Sequence, residues 1–348
     1  MNPSHRRPNR TLRSFWLILI MALGSGRFSS YAVVDAHSET NTSAPPDGAP
    51  WDHVGQVNGP GGIYLGAGWV LTAAHVGPGT IKLESGTFPW DGTNRPLTNS
   101  DGSLTDALMF HLKGVPPLPR LTLVSNTPPA FSEVDLIGFG YKSGSAETSF
   151  GLGVSGFYWS AVPAKSWGNN QINLGGVSTV YDGFTNNGIG VTVSAFVTDF
   201  TSPVVPGQQT ADEAQAAGGD SGGAVFYKNG SNWELAGMVV AIDEPLTNRP
   251  SNSAVYSDQT YAVDIATYRD QIVPVIQSTI PSLSIATEQA NVRICWIDTG
   301  IDYDLQTSTN LSLPNWTVLT PNVSIANGQI CASLPTSSTH RFFRLQKR

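Results

Sequence analysis

Glycines flank a serine on both sides in Gly218-Gly219-Asp220-Ser221-Gly222-Gly223, which lets the backbone crowd against a substrate that the hydroxyl could attack. A serine hydroxyl is a poor nucleophile at neutral pH and needs a base. The run Gly66-Ala67-Gly68-Trp69-Val70-Leu71-Thr72-Ala73-Ala74-His75 reads as a strand that delivers a histidine after small residues. Leu104-Thr105-Asp106-Ala107-Leu108-Met109 sets a carboxylate among apolar neighbours. In acyl transfer His75 would take the serine proton and return it to the leaving amine, while Asp106 held the imidazole in the right tautomer. The developing oxyanion needs donors already in place, and the backbone N–H groups of Gly219 and Ser221 are the candidates. Each residue alone has a plainer reading, as turn, satisfied core histidine or cap. The case for chemistry is their joint occurrence.

Together these stretches resemble the chymotrypsin/trypsin family of serine proteases, whose chain order is also histidine, aspartate, serine. The resemblance implies an all-β fold of two barrels closed by a C-terminal helix, hydrolysing peptide bonds in protein or peptide substrates through an acyl-enzyme, with no cofactor. His75 is followed by Val76 rather than the cysteine common in animal members, which suits a bacterial, disulfide-poor type. The position six before the nucleophile, at the base of the family's substrate pocket, is Gln215 rather than aspartate, so a preference for Arg or Lys is not supported. Gly237-Met238-Val239-Val240-Ala241-Ile242 falls where relatives carry Ser-Trp-Gly along one pocket wall. Val240, Ala241 and Ile242 then join Gln215 as pocket residues, and Ile242 would narrow the entrance toward small or apolar side chains. In animal members the counterpart of Asp220 pairs with a newly cut N-terminus; no activation site near Trp51 supports carrying that switch over.

Gly219-Asp220-Ser221-Gly222-Gly223 also matches the nucleophile elbow of α/β-hydrolases. That fold needs a helix after the serine and its histidine downstream, whereas Ala224 to Tyr227 reads as strand and the later histidine is His340. A non-catalytic binding or adhesion protein on a protease scaffold is the alternative from another class.

The elements that must position these residues are short. Glycine (36) and proline (24) are abundant and charged residues make up 13% of the chain, which favours β architecture over helical bundles. Strands are expected at 54–57, 62–65, 68–71, 81–83, 107–112, 134–138, 191–197, 224–227 and 235–240. Ile265, Tyr268, Ile272 and Val275 recur at helical spacing, with Thr267 and Asp270 as a capping-box-like start. A net charge of −7 without a basic stripe beyond the N-terminus speaks against a nucleic-acid partner.

Arg6, Arg7, Arg10 and Arg13 precede the apolar run Phe15 to Leu23, too short to span a bilayer, and small residues follow at Ser30 and Ala32 or at Val34 and Ala36. This is the layout of a secretory signal peptide within residues 1–36, cleaved after Ala32 or Ala36, and it implies an extracellular or periplasmic protein. Residues 37–49 read as a flexible leader. The protease-like region spans 50–279. Residues 280–348 form a small β-sandwich accessory module of four or five strands, resembling one appended to secreted bacterial proteins and read as a spacer or contact to a cell surface. Cys295 and Cys331 fit neither a zinc nor a redox spacing, and export allows a disulfide between them. No metal site is expected: Asp91-Gly92-Thr93-Asn94 and Asp101-Gly102-Ser103 read as turns before calcium loops. His111 reads as a surface or edge residue, and His53 is a weaker candidate still.

Overall fold

In the computed structural model the described residues are 33–36, 41–144, 146–162, 164–186, 189–204, 209–246, 249–279, 281, 283–297, 303–326, 329–336 and 340–347. The basic and apolar parts of the expected signal segment, and residues 37–40 of the leader, lie outside them.

Strand β1 is Val34–Asp35. Short Gly- and Pro-punctuated runs then make a first sheet from β2 (Val54–Val57), β3 (Gly61–Gly66), β4 (Trp69–Ala73), β5 (Ile81–Leu83), β6 (Gly86–Phe88), β7 (Trp90–Thr98) and β8 (Leu104–Leu112). Its order is β6-β5-β2-β3-β4-β8-β7, with antiparallel pairing throughout. All five residues of β4 are buried, so this strand is covered on both faces, and its one polar residue, Thr72, is satisfied by Gly61 O. Ala67 and Gly68 take left-handed conformations (φ 52° and 84°) in the turn that delivers it, which is why small residues stand there.

The next strands are β9 (Glu133–Gly138), β10 (Thr148–Gly151), β11 (Val154–Tyr158), β12 (Ser166–Gln171), β13 (Ser178–Asn186), β14 (Ile189–Asp199), β15 (Ala214–Gln215), β16 (Ala224–Asn229), β17 (Asn232–Asp243), β18 (Ser253–Val255) and β19 (Gln259–Asp264). Seven of them form a second sheet in the order β12-β9-β16-β17-β19-β14-β13. A bridge between Ile172 and Thr198 returns the β12 end to β14, curling the sheet into a barrel. Strands β10, β11 and β18 make a small separate sheet, and β1 pairs with β15. Ile63, Leu65, Leu71 and Met109 from the first sheet share one core with Val225, Phe226, Leu235 and Met238 from the second. The expected all-β, two-barrel architecture is the one observed.

Helix α1 (Ile265–Thr279) follows directly. The capping-box reading of Thr267 and Asp270 is corrected: Asp264 caps the helix, its Oδ2 accepting from Thr267 N–H (3.1 Å) and Thr267 Oγ1 (2.7 Å). The helix clamps both sheets. Gln271 Nε2 donates to Thr98 O on β7 (2.7 Å), and Tyr268 Oη accepts from Ser194 N–H on β14 and donates to Asn99 Oδ1, both at 2.8 Å.

The described residues of the last span form seven strands, not four or five: β20 (Ser284–Glu288), β21 (Asn291–Ile297), β22 (Tyr303–Ser308), β23 (Thr317–Val318), β24 (Val323–Ala326), β25 (Gln329–Pro335) and β26 (Phe342–Lys347). Every residue of β20 is exposed, so that strand carries no apolar alternation to read. A four-stranded sheet (β20-β21-β25-β24) and a three-stranded one (β23-β22-β26) enclose Ile294, Trp296, Leu305 and Ala332. Cys295 lies directly opposite Cys331 in the β21–β25 pair, and the two form a disulfide.

Residues on both sides of the expected N-terminal boundaries pack on the fold. Residues 33–36 belong to the fold: Val33 and Val34 are fully buried, and Ala36 N–H donates to Glu213 O. Part of the leader is tied down as well, since Asn41 Nδ2 donates to Asp35 Oδ2 (2.7 Å) and Asn41 O accepts from Trp167 N–H.

Candidate active site

His75 lies just past the end of β4, and Asp106 sits in β8, the neighbouring strand, where pairing of Ala73 with Ala107 fixes their register. Asp106 is 1% exposed. Its Oδ1 accepts from His75 N–H (2.8 Å) and its Oδ2 lies 2.5 Å from His75 Nδ1. One carboxylate therefore holds both the backbone and the ring of the histidine. A proton on Nδ1 faces Asp106, which leaves Nε2 as the ring nitrogen that carries the lone pair in the neutral imidazole.

Ser221 reaches the first sheet through its own backbone. Gly61 N–H donates to Ser221 O (2.8 Å), and Gly61 O accepts from Thr72 Oγ1 (2.7 Å), three residues before His75. A Cβ on Gly222 would lie 2.1 Å from Gly61 O and 2.6 Å from Thr72 Oγ1, and Gly222 has φ 79°, so no other residue fits. Thr72 and Gly61 thus register the histidine strand against the serine loop. Sequence reading missed both, because their contact depends on how two distant turns meet; Gly61-Gly62 was the available signal.

Among the described residues, Ser221 Oγ makes no hydrogen bond, and the N–H groups of Gly219 and Ser221 have no acceptor within the protein. Gly219 adopts φ 93°. Two amides and a hydroxyl are therefore available at one turn, as acyl transfer requires.

Asp220 is wholly buried, and its carboxylate accepts from Gly140 N–H (2.6 Å) and Ala217 N–H (2.8 Å). Burial pushes its carboxyl well above the usual range, against these bonds. Val33 is its neighbour: a Cβ on Gly138 would meet Asp220 Oδ1 at 2.0 Å and Val33 Cγ2 at 3.3 Å.

Beside Ser221 lies a cavity of about 250 Å³ lined by Ala217, Gly218, Gly219, Val239, Val240, Ala241 and Ile242. Val240, Ala241 and Ile242 thus sit at the expected wall, with Val239 added. Gln215 does not line it. It is 1% exposed, pairs with Val34 of β1, and its Oε1 accepts from Thr260 Oγ1 (3.1 Å).

The remaining candidates are structural. His111 Nδ1 lies 2.6 Å from Asp91 Oδ2 and its Nε2 lies 3.2 Å from Ala67 O, so it braces the turn before β4. His53 is buried, with Nδ1 2.8 Å from Tyr64 O, and burial lowers its pKa. Asp91 Oδ1 accepts from Thr93 N–H (2.7 Å) and Asp101 Oδ1 from Ser103 N–H (2.9 Å), which are the bonds of ordinary Asx turns.

No family model matches the chain, and no curated protein matches it. Among solved structures it is similar to an inactive serine-to-alanine mutant of Rv3671c from M. tuberculosis H37Rv, at 14% identity over 64% of this chain and 83% of that one, TM-score 0.36. A mutant of human heparin binding protein (CAP37) has 16% identity over 68% and 95%, TM-score 0.41. Kallikrein-related peptidase 10 has 17% identity over 68% and 100%, TM-score 0.39. At these identities and TM-scores the functional reading rests on this chain's own residues.

Proposed function

We propose that the chain is a secreted serine endopeptidase that cleaves peptide bonds in protein or peptide substrates. The observation that carries this reading is the buried carboxylate of Asp106, bonded to both the backbone and the ring of His75, in a fold that brings the glycine-flanked Ser221 against the same sheet. Ser221 attacks the scissile carbonyl as His75 Nε2 takes its proton, and the amides of Gly219 and Ser221 hold the oxyanion. The C–N bond breaks as His75 returns the proton to the leaving amine, and water, deprotonated by the same imidazole, releases the acid from the acyl-enzyme. The binding-protein alternative gains nothing from a hydroxyl and two amides left unpaired beside a cavity.

Export follows from the Arg-rich, apolar N-terminal segment, and the disulfide suits an oxidising compartment. No helix among the described residues is long and apolar enough to cross a membrane. Signal removal after Ala32 leaves Val33, whose side chain packs near Asp220 across Gly138, as the first residue of the exported chain. The C-terminal module serves as a spacer or surface contact.

The test is hydrolysis of a denatured protein by the purified exported chain, compared with Ser221→Ala. Cleavage lost in the variant supports the reading; equal cleavage, or none by folded protein that starts at Val33, rejects it.

A further inference from the structure

The disulfide of the C-terminal module stands apart from the core beneath it. Ser284 of β20 pairs with Cys295 of β21, Cys295 with Cys331 of β25, and Cys331 with Ser324 of β24, so one row across the sheet reads Ser-Cys-Cys-Ser. Directly paired residues share a face, and the neighbouring row, Ile294 with Ala332, points the other way into the module's core. The sulfurs therefore lie on the outer face. Ser284, Ser324 and Ser333 on that face are exposed.

The two sulfurs are not equivalent. Cys331 is 7% exposed, and Arg293, on the same face as Cys295, donates from Nη2 to Cys331 Sγ (3.6 Å). The other arm of that guanidinium, Nη1, donates to Glu288 Oε1 (3.2 Å), which helps to fix its direction. Cys295 is half-buried. Its neighbour in the row, on the side away from Cys331, is Ser284, whose Oγ donates to Cys295 O (3.2 Å) and is thereby turned to the backbone. A nucleophile that approaches Cys295 from the β20 side passes one small side chain.

Disulfides exchange by attack of a thiolate, and the rate rises with access to the attacked sulfur and with the stability of the thiolate that leaves. Both preferences select the same atom. Cys295 is the more open sulfur, and attack there leaves the electron pair on Cys331, beside a guanidinium. The sheet has other means of staying together: β21 and β25 pair over seven residues, and Ile294, Trp296 and Ala332 pack from the opposite face. Opening the bond leaves that pairing and that core in place.

We propose that Cys295–Cys331 is a thiol-exchange site at which a small thiol becomes joined to Cys295, with Arg293 as the positioning residue that steadies Cys331 as the leaving thiolate. The incoming thiol gives its proton to solvent and its sulfur attacks Cys295 Sγ. The Cys295–Cys331 bond breaks and its electron pair goes to Cys331 Sγ, so a mixed disulfide and a thiolate replace a disulfide and a thiol, with no oxidant consumed. A small thiol reaches this atom more readily than the cysteine of a folded protein, because Cys295 is half-buried within a sheet face. The site is independent of the protease reading.

The experiment incubates the full exported protein with reduced glutathione under native conditions, stops the reaction with excess N-ethylmaleimide, and maps both cysteines by mass spectrometry. Glutathione is expected on Cys295 and maleimide on Cys331, with the reverse pattern about tenfold rarer. Arg293→Gln should slow adduct formation by about tenfold, the scale of one hydrogen bond to a charged group, while Arg293→Lys, which keeps the charge, should lose less. Circular dichroism checks that each variant is folded, and a merely structural role for Arg293 would leave the choice between the two sulfurs unmoved. Glutathione found equally on both cysteines or chiefly on Cys331, or an unchanged rate in Arg293→Gln, overturns the proposal. Absence of any adduct on native protein, when the urea-unfolded chain reacts, overturns it by making the bond a staple only. Equal or faster reaction with a folded protein bearing one surface cysteine overturns the assignment to a small thiol.

Discussion

Asp106 is held by geometry rather than by charge alone, since each of its oxygens has its own donor on His75. Asp106→Asn should keep the fold but present an amide to Nδ1, favouring the wrong tautomer, and kcat should fall by about four orders of magnitude. Circular dichroism and turnover on one preparation check this; a loss under tenfold would mean another group orients the ring. A second buried aspartate does no chemistry. Asp135 on β9 is 3% exposed, its Oδ2 has no hydrogen-bond partner among the described residues, and its pKa rises to about 8. Burial is the main cause, and Asp47, Glu133 and Asp212 add to it against Lys228. The unfolded chain releases this proton near pH 4, so the folded state loses relative stability as pH rises from there to about 8. Asp135→Asn should therefore match wild type in denaturant melts at pH 4 and exceed it by on the order of 3 kcal/mol at pH 9. Equal stability at pH 9 would show that Asp135 finds a partner. His75, Asp106 and Ser221 were legible because their neighbours are unusual: small residues before the histidine, glycines around the serine. Gln215 was misplaced because a sequence offset puts it near the pocket but cannot say which way a strand turns its side chain.

At the scale of elements, β1 is the segment whose meaning changed most. Val34-Asp35 is too short to show alternation, and it lies between the two expected cleavage positions, Ala32 and Ala36, so the sequence did not decide whether the pair is kept. Pairing with Ala214–Gln215 makes it the support beneath the loop that carries Asp220 and Ser221. The exported protein should begin at Val33, and N-terminal sequencing decides this. A start at His37 would contradict the assignment, because removing Val33 and Val34 exposes their apolar contacts at a cost of about 3–6 kcal/mol. The longer apolar strands were legible from their runs of Val, Ile and Leu, and α1 from its spacing. Its cap was not: Asp264 belongs to β19 by pairing, so the strand hides the start of the helix. Strands such as β7, six of whose nine residues are exposed in succession, left no pattern to read.

For the whole molecule, two sheets share one core, and the Ser221 loop is bonded by its backbone to Gly61 of the sheet that carries His75 and Asp106. Composition made the β architecture legible, while the meeting of the sheets through Gly61 and Thr72 depends on contacts that no local pattern records. The C-terminal sandwich has a core of its own around Trp296. Activity of any kind at this site requires that His75 activate Ser221. Intact-mass and peptide mapping of the exported protein after a fluorophosphonate probe, with Ser221→Ala and His75→Ala alongside, reads that activation at the atom concerned. One adduct is expected, on Ser221, absent from Ser221→Ala and slowed at least about a thousandfold in His75→Ala. No adduct on folded wild type beginning at Val33, or labelling that survives His75→Ala at an equal rate, would contradict it.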